Sequence, residues 1–169
     1  MSETIQNPGY FLAGIAGLVR NTAAEYLLLK RSDDRDFGAS VWECVTGRVN
    51  QGEGFEEALH REVMEETGLQ VRIDMLIGLS HFHRGNPVAE NELQGVVFGC
   101  SIDGDAAVHH GSEHSEHLWA SAQHAQEILT APDVGTRWFR KTMERANLLY
   151  SIMPDGWATA SASGLTLEP

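Results

Sequence analysis

Apolar and polar positions divide this chain into strands and helices before any chemistry is considered. Residues 10–19, YFLAGIAGLV, form an apolar run that closes on Arg20, and 25–31, EYLLLKR, form a second, with the polar stretch NTAA between them. Short runs rich in Leu, Ile, Val and Tyr predict two strands joined by a turn. After the loop SDDRDFGAS, the segment VWECVTG predicts a short strand, and 54–67 predicts a helix. VRIDMLIGLSHFH reads as a strand, Gly85, Asn86 and Pro87 as a turn, and ELQGVVFGCSID as a buried strand ending at Gly104. A second helix is predicted over about 122–130, stopped near Pro132, and a third over about 136–150. In that last segment Trp138, Phe139, Met143, Ala146 and Leu149 recur at core spacing. Strands interleaved with helices in this order predict an α/β/α sandwich.

The helix over 54–67 raises a chemical question. At about 100° per residue, Phe55, Ala58, Leu59 and Val63 form the core-facing stripe, and Glu56, Glu57, His60 and Met64 fall opposite. Glu62 and Glu66 land inside the stripe, with Glu65 at its edge beside Ala58. A carboxylate facing an interior is costly unless it is paired or binds a cation. Three close carboxylates also repel, so without a cation some must take up protons. Arg61 is the nearest basic residue and is expected to point elsewhere. A hard divalent cation with oxygen ligands satisfies all three glutamates at once; a solvated acidic helix end is the plain alternative.

The wider window sharpens the choice. From Gly47 to Leu69 the chain reads GRVNQGEGFEEALHREVMEETGL, which resembles the complete signature of the Nudix hydrolases. Its fixed places are held by Gly47, Glu53, Arg61, Glu62, Val63, Glu65, Glu66, Gly68 and Leu69. Seven fixed identities coincide by chance on the order of once in 10⁹ starting points. The resemblance implies the sandwich just described, with a mixed sheet carrying the signature as loop–helix–loop. It implies hydrolysis of a nucleoside diphosphate linked to another group, with Glu62, Glu65 and Glu66 as metal ligands and the carbonyl of Gly47 as a further one. Glu53 and Arg61 would pair to brace the loop, and Gly68 would let the chain turn off the helix. Either Mg²⁺ or Mn²⁺ suits such an oxygen set.

The remaining candidates lie outside the box. GSEHSEHLWAS, residues 111–121, resembles the family's Glu-His followed by a tryptophan strand. Matching it places Glu113 near the metals, with His114 beside it and Glu116 and His117 as alternatives; read alone, the segment is an exposed polar loop. The general base is then Glu66, Glu62 or Glu113. Arg48, His83 and Arg84 are candidate substrate-binding residues. His81, His83, His109, His110, His114 and His117 also raise a zinc reading, although no pair of cysteines accompanies them.

Composition narrows the partners. The chain has 169 residues, and its net charge of −12, from 12 basic and 24 acidic residues, argues against nucleic-acid polymers. Cys44 and Cys100 sit in apolar strand-like runs, as expected for reduced core residues of a cytoplasmic protein. The apolar run near residue 10 is too short to span a bilayer, so no membrane association is expected. Residues 1–153 read as one hydrolase domain. Residues 154–169, PDGWATASASGLTLEP, read as a tail that needs holding, with Trp157, Leu165 and Leu167 as anchors and a homodimer as the expected holder. Val45-Thr46-Gly47 stands where many Nudix relatives have Pro-Gly-Gly, and resembles the branch acting on dATP and dihydroneopterin triphosphate. The expected reaction is cleavage of a nucleoside or pterin triphosphate to monophosphate and pyrophosphate. Pro87, 18 residues past Leu69, keeps ADP-ribose or a nucleotide sugar as the alternative. A nucleotide-sensing domain without catalysis is the alternative of another class.

Overall fold

The computed structural model describes residues 9–33, 40–104 and 106–167. Seven strands, β1 (Leu12–Arg20), β2 (Tyr26–Arg31), β3 (Trp42–Glu43), β4 (Val45–Arg48), β5 (Arg72–His83), β6 (Glu92–Ser101) and β7 (His114–Ala120), form one mixed sheet. The main path runs β3-β2-β1-β6-β5, with β4 on β1 and β7 on β2. β1 and β6 are parallel from Leu12–Leu93 to Arg20–Ser101. The helices are α1 (Phe55–Thr67), α2 (Ala122–Ile128), α3 (Val134–Ile152) and α4 (Trp157–Ser161).

The continuous apolar runs of β1 and β2 follow from burial on both faces. Ile15, Val19, Leu27 and Leu29 pack with Ala58, Leu59 and Val63 of α1 on one side. Ala16, Leu18, Tyr26 and Leu28 pack with Phe139, Met143 and Ala146 of α3 on the other. The sheet is therefore the middle layer of an α/β/α sandwich, as expected. Burying each of Leu59 and Val63 contributes about 1.5–3 kcal/mol. A Cβ on Gly17 would stand 2.7 Å from Leu59 Cδ1, so a bare backbone at that point lets α1 lie close on the sheet.

Three local features refine the expectations. Phe55, the first residue of the helix, is 42% exposed and lies outside the core stripe. Residues 114–120 form a strand, as the resemblance to the family's tryptophan strand implies and unlike the polar loop that the segment suggests when read alone. β7 pairs with β2 from Tyr26–Ala120 onward, and its polar side chains at 115–117 stay exposed. The tail also contains a short helix. Trp157 Nε1 donates to the carbonyl of Asp74 at 2.5 Å, and the Leu165 amide and Thr166 hydroxyl donate to Glu56 Oε1 at 2.6 and 2.9 Å. Leu165 packs on the α1 side of the core, whereas Leu167 is 97% exposed. No helix among the described residues is long and apolar enough to cross a membrane.

Candidate active site

The site is assembled on both ends of α1. At its start Gly54 adopts extended backbone and its N–H donates to Glu57 Oε2 at 2.9 Å, which closes the first turn. At its end Gly68 takes φ 70°, a left-handed conformation that suits glycine, and its N–H donates to the carbonyl of Met64 at 2.9 Å. That turn releases the chain toward β5.

Arg61 ties the loop before the helix to the helix itself. Its Nε and Nη2 donate to Glu53 Oε1 and Oε2 at 2.7 and 2.9 Å, a bidentate pair. Nη2 also donates to the carbonyl of Arg48 at 2.9 Å, and Nη1 to Glu62 Oε1 at 2.8 Å and Glu65 Oε2 at 3.2 Å. Arg61 thus turns toward the glutamates, contrary to the helical-wheel expectation, because its long stem lets the guanidinium reach past its own position on the helix. Its hydrogen bond, with a further one from the Asn50 amide, holds the Glu53 carboxyl down at about 2.

The inward glutamates sit in different surroundings. A Cβ on Gly47 would overlap the Glu62 carboxylate, so the bare backbone of β4 makes the space that Glu62 occupies. Glu66 is buried, and among the described residues its Oε2 has no hydrogen-bond partner. Burial, reinforced by the charges of Glu43, Glu62 and Glu113, pushes its carboxyl up to about 9. Glu65 is the outward member, with its side chain 59% exposed.

The facing wall comes from distant sequence. The His109 amide donates to the carbonyl of Thr67 at 2.9 Å and the Gly111 amide to that of Glu66 at 3.3 Å, so the loop before β7 caps the end of α1. The carbonyl of Glu113 accepts from the Ser32 amide at 2.9 Å. His114 is buried, with Nε2 3.1 Å from Glu43 Oε1 and 4.0 Å from Glu66 Oε2. Arg31 Nη1 holds the same Glu43 oxygen at 2.9 Å. A second positive group stands nearby: Arg84 is held below its ordinary pKa by partial burial and by the charges of Arg48 and Arg31, which places three guanidinium groups within electrostatic reach of one another. His83 lies one residue before Arg84 and stacks edge-on with His81 at 5.8 Å. His81 in turn contacts Glu92 at 2.9 Å.

These residues fit a hard divalent cation by their chemistry. The donors are oxygens, Glu66 carries a buried unpartnered one, and three further carboxylates raise its charge cost. As they stand, no three His, Cys, Asp or Glu side chains among the described residues are gathered into a coordination shell. Arg61 accounts for part of that, since it holds Glu62 and Glu65 to itself. The histidines likewise form no such shell: His110 and His117 meet at 5.5 Å between ring centres, as a pair.

Comparison with known proteins identifies the family. The family model for the NUDIX domain matches residues 11–142, most of the chain and all of the site. The chain belongs to the Nudix family. It is 34% identical over 111 residues to a putative 8-oxo-dGTP diphosphatase of Bacillus subtilis, covering 66% of this chain and 67% of that one. The chain also spans 33% of an octanoyltransferase of Myxococcus xanthus, at 32% identity over 127 residues, 75% of this chain. Among solved structures, the MutT protein of Methanosarcina mazei Go1 matches with TM-score 0.68 and 28% identity, over 86% of this chain and 99% of that one. The dihydroneopterin triphosphate pyrophosphohydrolase of E. coli shares the fold at TM-score 0.59 and 21% identity, over 79% and 92%. This Nudix domain is accordingly an enzyme, a pyrophosphohydrolase acting on nucleoside diphosphate derivatives.

Structure adds Glu43 and Arg31 to the residues expected from sequence, and gives His114, expected beside Glu113, its contact with Glu43. Glu43 carried one readable signal, an acid inside the otherwise apolar strand VWECV. Arg31 carried none, because it acts through pairing of β2 with β3 and β7.

Proposed function

We propose that this Nudix domain hydrolyses a nucleoside triphosphate or pterin triphosphate to the monophosphate and pyrophosphate, with Mg²⁺ or Mn²⁺ as cofactor. The observation that carries the reading is the placement of the buried Glu66 carboxylate among Glu43, Glu62 and Glu113, beside the cluster of Arg31, Arg48 and Arg84. Acidic groups that need a cation stand next to Arg48 and Arg84, with Arg31 already held by Glu43, the arrangement a metal–polyphosphate complex would suit.

Glu62, Glu65 and Glu66 would hold the cation, with the Gly47 carbonyl and Glu113 as further ligands. When bound, a divalent ion neutralises phosphate oxygens and lowers the pKa of water. Arg84, Arg48 and His83 bind the outlying phosphates and set the substrate in line. The proton of the attacking water passes to a carboxylate, Glu66, Glu62 or Glu113. As the new P–O bond forms on the monophosphate, the anhydride bond breaks and its electrons leave with pyrophosphate. Glu53 and Arg61 keep the loop and helix in register so that these groups meet reproducibly.

The similarity to a putative 8-oxo-dGTP diphosphatase and the Val45-Thr46-Gly47 variant favour a triphosphate. The test is a product screen with Mg²⁺ against nucleoside triphosphates, dihydroneopterin triphosphate, ADP-ribose and nucleotide sugars. Pyrophosphate and a monophosphate from a triphosphate are the expected products. Cleavage of ADP-ribose to AMP and ribose phosphate with triphosphates untouched would replace the reading with the ADP-ribose one. Tight nucleotide binding without any product would replace it with a sensor.

A further inference from the structure

A second cleft lies at the opposite end of β1 from the glutamates. Gly47 pairs with Ile15, whereas this cleft is lined by Arg20, five residues further along the same strand and about 16 Å away. Its volume is about 280 Å³, and Arg72, Asp74, Tyr150 and Trp157 are among its walls. That is close to the lower end of the range for small-molecule sites.

The charges in it are unevenly matched. Asp74 is buried and fully engaged: Oδ1 accepts from Arg72 Nε and Nη2 at 3.2 Å and from Ser101 Oγ at 3.0 Å, and Oδ2 from the Tyr150 hydroxyl at 2.8 Å. Arg72 also reaches Asp103 at 3.3 Å. Arg20 has no such partner. Its guanidinium lies over the Tyr150 ring at 4.4 Å and the Tyr26 ring at 5.8 Å, and among the described residues it makes no ion pair or hydrogen bond. Its Nε is sealed from solvent and unpaired, as is the Tyr26 hydroxyl below it. A guanidinium lying over aromatic rings still presents N–H donors to a planar oxyanion, and the outer nitrogens of Arg20 are those a ligand in the cleft would meet.

We propose that this cleft is a second ligand site, separate from the hydrolytic one, for a small molecule carrying a phosphate or carboxylate group. The oxyanion pairs with Arg20, and the organic part lies toward Trp157, at the root of the C-terminal segment. Because Trp157 closes one wall and the same segment continues to Glu56 on α1, the ligand seats the tail on its own domain.

Trp157 Nε1–H reports on the cleft directly, since it is bonded to the Asp74 carbonyl in the wall. The full-length, metal-free protein is labelled with ¹⁵N, its indole signals are assigned with Trp157→Phe, and inorganic phosphate, a nucleoside monophosphate and citrate are titrated separately. A saturable shift of the Trp157 indole with at least one probe is expected, weakened tenfold or more by Arg20→Gln and partly restored by Arg20→Lys. Response to phosphate and monophosphate alone identifies a phosphorylated ligand, and response to citrate alone a carboxylate. No shift with any probe up to about 10 mM overturns the proposal, as does a shift that survives in Arg20→Gln at unchanged affinity. Should Arg20→Gln fail to fold, Arg20→Lys alone decides, by weakened or unaltered binding. None of these readouts depends on turnover, so the proposed hydrolysis stands or falls separately.

Discussion

Gly47 and Glu62 compete for one volume. The site that a Cβ on Gly47 would occupy is filled by the Glu62 carboxylate, which crosses from α1 onto the backbone of β4. Glycine at this point is thus a matter of space, since no positive φ is present there.

Gly47→Ala is therefore expected to displace Glu62 while leaving the sheet register intact. The expected outcome is a loss of about 10²-fold or more in kcat/KM, equivalent to about 2.7 kcal/mol, with an unchanged far-ultraviolet dichroism spectrum. Activity within a factor of two of wild type would show that Glu62 does not need that position.

Glu66→Gln tests the buried carboxylate. The folded-state pKa of Glu66, about 9, lies above its ordinary 4.5, so in the metal-free protein the folded state keeps a proton that the unfolded chain releases. Stability without metal should fall as the pH rises from 4.5 toward 9, and the glutamine variant should lack that fall. In thermal melts with a chelator, the variant should match or exceed wild type at pH 8, at about 2–4 °C per kcal/mol, while losing most activity with Mg²⁺. A variant with wild-type turnover would remove Glu66 from the site.

Arg61→Lys keeps the charge and removes the fork. The bidentate grip on Glu53 and the bonds to Glu62 and the Arg48 carbonyl cannot all be made by one ammonium. A drop of about 10–100-fold in activity is expected, with weaker apparent metal affinity. The Glu53 pKa is depressed, so the clamp is complete above the ordinary carboxylate value of 4.5 and is lost as the pH falls through about 2. Proton NMR titration of the Glu53 side chain in wild type and variant checks both statements.

Removing residues 154–169 should destabilise the domain whatever its oligomeric state. The deletion takes away the Trp157 bond to Asp74, the two bonds to Glu56 and the packing of Leu165. A fall in Tm is expected, reproduced in part by Trp157→Ala. Light scattering on the same proteins tests the homodimer expected from the sequence: a dimeric wild type that becomes monomeric supports it, and a monomeric wild type or an unchanged dimer rejects it.

The box glutamates were legible because a helix has one period and a carboxylate facing inward has few physical excuses. The strands of the middle layer were legible for a similar reason, as runs buried on both faces leave no polar alternation. β7 was legible only through its resemblance to a tryptophan strand, since its exposed Ser115, Glu116 and His117 look like loop until β2 supplies the pairing. Glu43 and His114 belong to segments 71 residues apart and meet only because β3 and β7 flank β2. The direction of Arg61 was likewise undetermined, since a flexible four-bond stem can carry its charge to several places around one helix. Local periodicity lies within a short stretch of chain and can be read there; which distant side chains share a site depends on strand order and register, and these are chosen by the packing of the whole.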